Sequence, residues 1–390
     1  MISRLHIGKS EHEDVARAVA EAARAALADC PSPALAVVLA TQGYDAETLA
    51  ARLSGEVGNL PWVGCSSAAV FAGPTLLRRG MVVGVVCAPE AFVGVGAAGP
   101  VSGNPRSAGA AAGARALDQM PAPIPSRRRA VVLLLNALSG QGAEVVRGAA
   151  QEGGNAASYT GGGASDDLRF TRTFQLARGR AFTDHAVAVV MDLPGRFGVG
   201  VRHGWRPYGP PTMVTRARGA YALELEYEEA FEVYRRTAAG KGDEVTRENF
   251  GPFARLHPLG IPQADGDHLI RDPIGVEADG SLRCVAEVPD GSLVRVMEAQ
   301  PGDLAAAAGQ AAELARAGVD GPLGGALVFD CVSRYMVLGD GIAEELSAMH
   351  RGLGESVPWI GCLTTGEVGA LGAGVPQFHN KTTSVLAIPG

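Results

Sequence analysis

The chain opens with short apolar runs separated by amphipathic stretches, and the period switches between them. Leu5 to Ile7 predicts a brief strand, and Ser10 with Glu13 three residues on predicts a capping box opening a helix over 11–27. That helix would place Val15, Val19, Ala22, Ala23 and Ala26 on one face. Residues 34–40, with Val37, Val38 and Leu39, form an apolar run short enough for a strand buried on both faces. A helix over 46–56 follows, then Trp62, Val63, Gly64, Cys65, Ser66 and Ser67. The unit is β-α-β ending in a turn of small residues.

The same syntax returns twice. One copy is a strand over 130–135, a helix over 141–151, and a corner running from Tyr159 through three glycines to Ser165 and Asp166. The other is a strand over 326–330, a helix over 342–352, and PWIGCLTTGE from Pro358 to Glu367, which matches the earlier PWVGC almost letter for letter. Internal repetition is the economical explanation. In each copy a strand must end beside a neighbouring backbone, which Gly and small hydroxyl residues permit. Between copies, two-residue alternation over 171–176, 180–183, 186–191 and 197–201 predicts an antiparallel meander, with a turn at 192–195. Prolines at 207, 210 and 211 mark the approach to a boundary, after which a short helix from Ala220 would carry Glu224 to Arg235. Strands over 268–271, 282–287 and 293–298 complete the reading. The predicted architecture is α/β: two related domains, 1–218 and 219–390, with mixed β-sheets flanked by helices and an internal pseudo-repeat of β-α-β units.

Composition narrows the function. With 47% apolar and 19% charged residues the chain is globular. Its net charge is −7, and its basic residues are scattered, Arg127 to Arg129 being the only run of three, so no positive stripe offers itself to nucleic acid. No window reaches 18 apolar residues, and the N-terminus turns charged early, which predicts a cytoplasmic protein with no membrane partner. Six cysteines (Cys30, Cys65, Cys87, Cys284, Cys331 and Cys362) lie far apart with no C-x-x-C pair, which predicts free thiols and no metal site.

At the repeated turns the chain resembles the FIST proteins, a family with N-terminal and C-terminal domains regarded as small-ligand sensors in bacterial signalling. The resemblance rests on WVGCSSA at 62–68, GGGASDD at 161–167, HGWRPYGPP at 203–211, VFDCVSRYMVLG at 328–339, PWIGCLTTGEVG at 358–369 and FHNKTTSVLAI at 378–388. It covers nearly the whole chain in order. Two departures stand out: Ala69 and Val70 occupy the first-half positions where the family carries Gly-Glu, and Glu226 with Tyr227 replace a customary Asp-Gly turn. The resemblance implies a non-catalytic sensory protein that binds a small molecule and reports to a separate signalling protein.

The candidate ligand residues gather at the corners. Gly361, Cys362, Thr364, Thr365, Gly366 and Glu367 supply backbone N–H groups, hydroxyls and a carboxylate within seven residues, and an amino acid would suit them, its carboxylate meeting Arg334 and its ammonium Glu367. The alternative is a tight turn whose hydroxyls cap the backbone. Arg334 follows its strand in DCVSR, at the carboxyl end where open α/β sheets bind ligands; a salt bridge to Asp330 or Asp340 is the other reading. Cys331, His379 and Asn380 join this set, with Cys65, Ser66, Ser67, Ser165 and Asp166 from the earlier corners. Arg271, beside Asp272, suits a surface pair better. No cofactor is expected; because some bacterial FIST proteins resemble haem-binding nitric-oxide sensors, His203 is a possible axial ligand. A cysteine-dependent enzyme using Cys362 or Cys331 with His379 is the rival from another class.

Overall fold

A computed structural model describes residues 3–124, 127–154, 156–264, 266–370 and 374–390. Three six-stranded sheets share one strand order. In the first, Arg4–Ser10, Met81–Cys87, Pro33–Thr41 and Trp62–Ser67 lie side by side, the first two pairings antiparallel and the last parallel. Phe92–Ala98, Ala186–Pro194, Arg127–Leu135 and Ser158–Gly163 repeat the pattern in the second. Gly198–Arg202, Thr383–Pro389, Leu323–Cys331 and Trp359–Thr364 repeat it in the third.

Each sheet is then completed by a two-stranded hairpin that belongs to another. Val70–Ala72 and Thr75–Leu77, which follow the first sheet's parallel pair, dock on the third sheet. Gln175–Ala177 and Arg180–Phe182 leave the second sheet for the first. Glu367–Gly369 and Gln377–His379 leave the third for the second. The exchange brings the ends of Trp62–Ser67, Ser158–Gly163 and Trp359–Thr364 together.

The inner faces of the three sheets share one apolar core, in which Leu5, Val37 and Val63 meet Val132, Leu134 and Val189 and also Leu327, Phe329 and Ile360. Helices cover the outer faces. Val15–Leu27 and Ala46–Val57 lie over the first sheet. Pro105–Leu117 and Gly142–Gly153 lie over the second. Pro301–Ala317 and Ile342–Leu353 lie over the third. Strands buried on both faces account for their almost unbroken apolar runs. A fourth sheet of nine strands, within 206–298, has its own core around Tyr234, Phe250 and Leu259 and is backed by the helix Ala230–Ala239.

Local expectations depart from this in three places. The first helix begins at Val15, not residue 11: Asp14 caps it, accepting from Arg17 N–H at 2.9 Å, while Ser10 ends its strand and donates to Glu21. The expected meander divides, because Ala186–Pro194 joins the second sheet and Gly198–Arg202 the third. The stretch after Ala220 forms strands Tyr221–Leu225 and Glu228–Glu229 before any helix. Glu226 and Tyr227 between them both take positive φ, 51° and 67°, so the turn is the one that favours Asn-Gly or Asp-Gly, built without glycine. The division expected at 218/219 falls at the turn between Thr212–Arg218 and Tyr221–Leu225, paired strands of the fourth sheet.

Candidate functional site

The three corners meet one another. Ser67 Oγ and Ser165 Oγ lie 2.8 and 2.6 Å from the carbonyl oxygen of Leu363, each donating to it. Ser165 N–H donates to Ser66 O, and Ser66 Oγ accepts from Phe174 N–H. Cys65 and Cys362 are buried in the central core with their thiols hydrogen-bonded. Gly361 is equally enclosed: a Cβ there would stand 2.5 Å from the carbonyl oxygen of Val328. Cys65, Ser66, Ser67, Ser165, Gly361 and Cys362 therefore hold the three sheets together, their polar atoms engaged by neighbouring backbone or their side chains by the core, and they are not among the residues lining the cavity described below.

Asp166 organises a loop. Burial raises its carboxyl, but backbone N–H bonds from Thr171, Phe170, Arg172 and Arg169 outweigh that and hold it below the ordinary value. The loop so tied sends Phe170 to the rim of a cavity.

That cavity, about 570 Å³, lies where the third corner faces the fourth sheet. One wall is the segment 137–140 beyond the second sheet. Another is Cys331, Ser333 and Met336 at the end of the third sheet's central strand, together with Thr365, Gly366 and Asn380. The fourth sheet contributes Asp272, Ile274, Arg283 and Cys284, and the short helix Phe250–Leu256 contributes Arg255. Phe170 and Ile274 are each 46% exposed, and they give it an apolar rim. Four of the residues expected from sequence thus share one cavity: Cys331, Thr365, Gly366 and Asn380. Gly366 is required there: its φ is +84° and a Cβ would fall 2.2 Å from the Phe378 ring.

Three buried oxygens of residues lining the cavity lack a hydrogen-bond partner among the described residues: Ser139 Oγ, Thr365 Oγ1 and Asn380 Oδ1. The amide of Asn380 is oriented by its Nδ2, which donates to His379 O at 3.0 Å, so the free atom is the carbonyl oxygen, which needs a donor. The Arg255 guanidinium has no ion-pair partner among the described residues, whereas Arg283 pairs with Glu277. Beside them, Ser333 Oγ lies 2.8 Å from Asp272 Oδ2 and 2.6 Å from Lys381 Nζ, and Lys381 Nζ is 3.1 Å from Asp272 Oδ1.

The remaining sequence candidates lie behind the wall. Arg334 is fully buried; its donors go to Glu345, to Asp330 at 3.2 Å, and to the carbonyls of His203, Leu304 and Lys381. The expectation that it grips a ligand carboxylate gives way to that salt bridge, whose main partner is Glu345 and not Asp340. Burial raises Asp330 well above the ordinary carboxyl range, as does nearby Glu345. Glu367 is also enclosed, and burial pushes it up to about 8. Its Oε1 is 2.8 Å from Thr364 Oγ1, and its Oε2 accepts from Thr382 N–H and Oγ1–H. Thr364 Oγ1 is also 3.1 Å from Asp330 O, so a protonated Glu367 can donate to Thr364, which donates onward. Glu367 and Thr364 therefore form an internal relay, and Glu367, with both carboxyl oxygens engaged by threonines, is not among the residues that line the cavity.

Burial holds His379 down at about 4; its Nε2–H donates to Gly369 O. Cys331 reaches the cavity, but burial and Glu367 push its thiol well up, which disfavours thiolate. His203 has both ring nitrogens engaged, by Asp267 at 2.6 Å and by Trp205 N–H at 2.9 Å, so neither is available to a haem iron. Arg271 is buried, donating to the carbonyls of Glu287, Ile270 and Phe378, contrary to the surface pair expected.

Sequence reasoning passed over Ser139, Arg255, Asp272, Ser333 and Lys381. One signal was available: of 34 lysines and arginines only three are lysine, and Lys381 stands between Asn380 and two threonines, Thr382 and Thr383.

Comparison with known proteins matches the FIST N domain to residues 34–228 and the FIST C domain to residues 230–370. Two uncharacterised proteins of Mycobacterium tuberculosis, from strains CDC 1551 / Oshkosh and ATCC 25618 / H37Rv, are each 29% identical over 405 residues, spanning 98% of this chain and 98% of their own. A crystal structure of a cyanuric acid hydrolase from A. caulinodans aligns over 100% of this chain and 99% of its own, with 11% identity and a TM-score of 0.37.

Proposed function

The chain belongs to the FIST family, whose domains are associated with sensory and signal-transduction roles, and we propose that its 570 Å³ cavity is the receptor site for a small polar metabolite. The observation that carries this reading is the trio of unpartnered oxygens on Ser139, Thr365 and Asn380. Leaving a buried polar group unsatisfied costs about 1–3 kcal/mol, and a ligand toward which these three side chains turn recovers that cost on binding. Asn380 Oδ1 calls for an N–H or O–H donor, Arg255 for an anion or carbonyl, and the two hydroxyls accept either. An α-amino acid or its amide meets these demands, with its carboxylate or carboxamide toward Arg255 and its nitrogen toward Asn380.

The walls come from both matched domains, Ala137 to Gly140 from the first and Cys331 to Gly366 from the second, so occupancy would favour one relative arrangement of the two and could be read by a separate partner protein. No helix among the described residues is long and apolar enough to cross a membrane, and the six cysteines are unpaired, which supports a reducing, cytoplasmic setting. Titration calorimetry with the twenty amino acids, their amides and nucleosides tests the proposal. Saturable 1:1 heat that is lost in Asn380→Leu is expected; no heat from any compound would refute it.

A further inference from the structure

We propose that Ser333 is a nucleophile, and that the same cavity carries an acyl-transfer centre for small esters or amides. The inference rests on the cavity being a ligand site and goes beyond it by assigning a reaction. Ser333 lines the cavity, yet its side chain faces a built environment: Oγ stands 2.8 Å from Asp272 Oδ2 and 2.6 Å from Lys381 Nζ. Lys381 is fully buried, its Nζ further fixed by Arg255 O at 2.8 Å and Asp272 Oδ1 at 3.1 Å. Its backbone takes φ +57°, in the left-handed region that non-glycine residues seldom adopt. A chain that otherwise uses arginine almost throughout keeps a lysine at this point. Lysine sets a compact amine, in place of a planar guanidinium, between Ser333 and Asp272.

The other buried serines differ. Ser67 and Ser165 are spent on the Leu363 carbonyl, and Ser139 Oγ, which shares the cavity, has no hydrogen-bond partner among the described residues. Hydroxyls become nucleophilic when a positioned group takes the proton and a cation steadies the developing charge, and serine–lysine versions of this device exist on unrelated folds.

The step balances with groups present. Ser333 Oγ bonds to the acyl carbon as its proton passes to Asp272 Oδ2, and the carbonyl π pair moves onto oxygen beside the Lys381 ammonium. On collapse the leaving alcohol or amine departs with the proton held by Asp272. Water then repeats the sequence on the acyl-serine, releasing the acid and restoring Ser333. Asn380 Oδ1 and Arg255 lie on the same walls to orient the substrate.

The test is reaction of the full chain with diisopropyl fluorophosphate, in which an Oγ–P bond forms and fluoride leaves, followed by intact-mass measurement and peptide mapping. One adduct per chain is expected, on Ser333, absent from Ser333→Ala, retained in Ser139→Ala, and formed at least tenfold more slowly in Asp272→Asn. Folded protein left unmodified, or an adduct undiminished in Ser333→Ala, overturns the assignment. An unreactive chain that still binds a compound in calorimetry overturns the nucleophile and leaves the receptor reading intact; a labelled chain that binds none of them supports the nucleophile and removes that reading.

Discussion

Lys381 Nζ stands 3.1 Å from Asp272 Oδ1 with the lysine fully buried and its ammonium 5.3 Å from the Trp205 ring centroid. Neither charge can be removed without stranding the other. Breaking a buried pair from one side costs about 3–5 kcal/mol, because an uncompensated charge remains. Lys381→Met should therefore lower the unfolding free energy in urea by about that amount. A loss below about 1 kcal/mol would show that the pair is not buried as described.

Two enclosed groups set opposite pH dependences. Glu367 has its carboxyl raised from 4.5 to about 8, so between those values the folded chain binds more protons than the unfolded one, and stability falls as pH rises. His379 is lowered from 6.5 to about 4, so between those values the unfolded chain binds more protons, and stability rises with pH. The two offset each other from about 4.5 to 6.5. Above 6.5 the His379 contribution is complete, while that of Glu367 goes on falling by up to about 1.4 kcal/mol per pH unit until about 8. Glu367→Gln should flatten that fall in denaturant titrations at pH 6.5, 7.2 and 8. An unchanged slope would contradict a neutral Glu367.

Tyr227 is 80% exposed and held at φ +67°. Its side chain gains little from packing, and the left-handed conformation costs about 1–2 kcal/mol, of which glycine's extra unfolded-state entropy offsets 0.5–1. Tyr227→Gly should raise stability by about 0.5–1 kcal/mol, measured by thermal or urea unfolding; a decrease would mean that the turn is not strained.

Thr365 Oγ1 is buried without a hydrogen-bond partner among the described residues. Replacing an unpaired hydroxyl by a methyl group removes a desolvation penalty, so Thr365→Val should leave stability unchanged or raise it by about 1 kcal/mol, while weakening ligand binding at least tenfold. That combination, measured by melting temperature and calorimetry together, separates a ligand contact from a structural hydroxyl, whose loss would destabilise.

Much of the fold is legible because local period reports it. The strands at Pro33–Thr41, Arg127–Leu135 and Leu323–Cys331 announce themselves as continuous apolar runs, and Ala46–Val57 and Ile342–Leu353 as amphipathic helices. The hairpin exchange is invisible, since nothing in Val70–Ala72 states that its partner is Trp359–Thr364, almost 300 residues away. The same limit governs the site. Small residues at a strand end look alike whether they face a cavity, as Thr365 and Gly366 do, or another corner, as Ser67 and Ser165 do. Asp272, Ser333 and Lys381 lie 61 and 48 residues apart along the chain, so no spacing rule could join them.

The cavity's role as a receptor site is tested most directly by melting temperature across the amino acids, their amides and nucleosides, in wild type and in the Thr365→Val, Asn380→Leu double variant. At least one compound should raise the wild-type Tm in proportion to the logarithm of its concentration above Kd, with no rise in the double variant. Flat melting temperatures for every compound, or equal rises in both proteins, would contradict it.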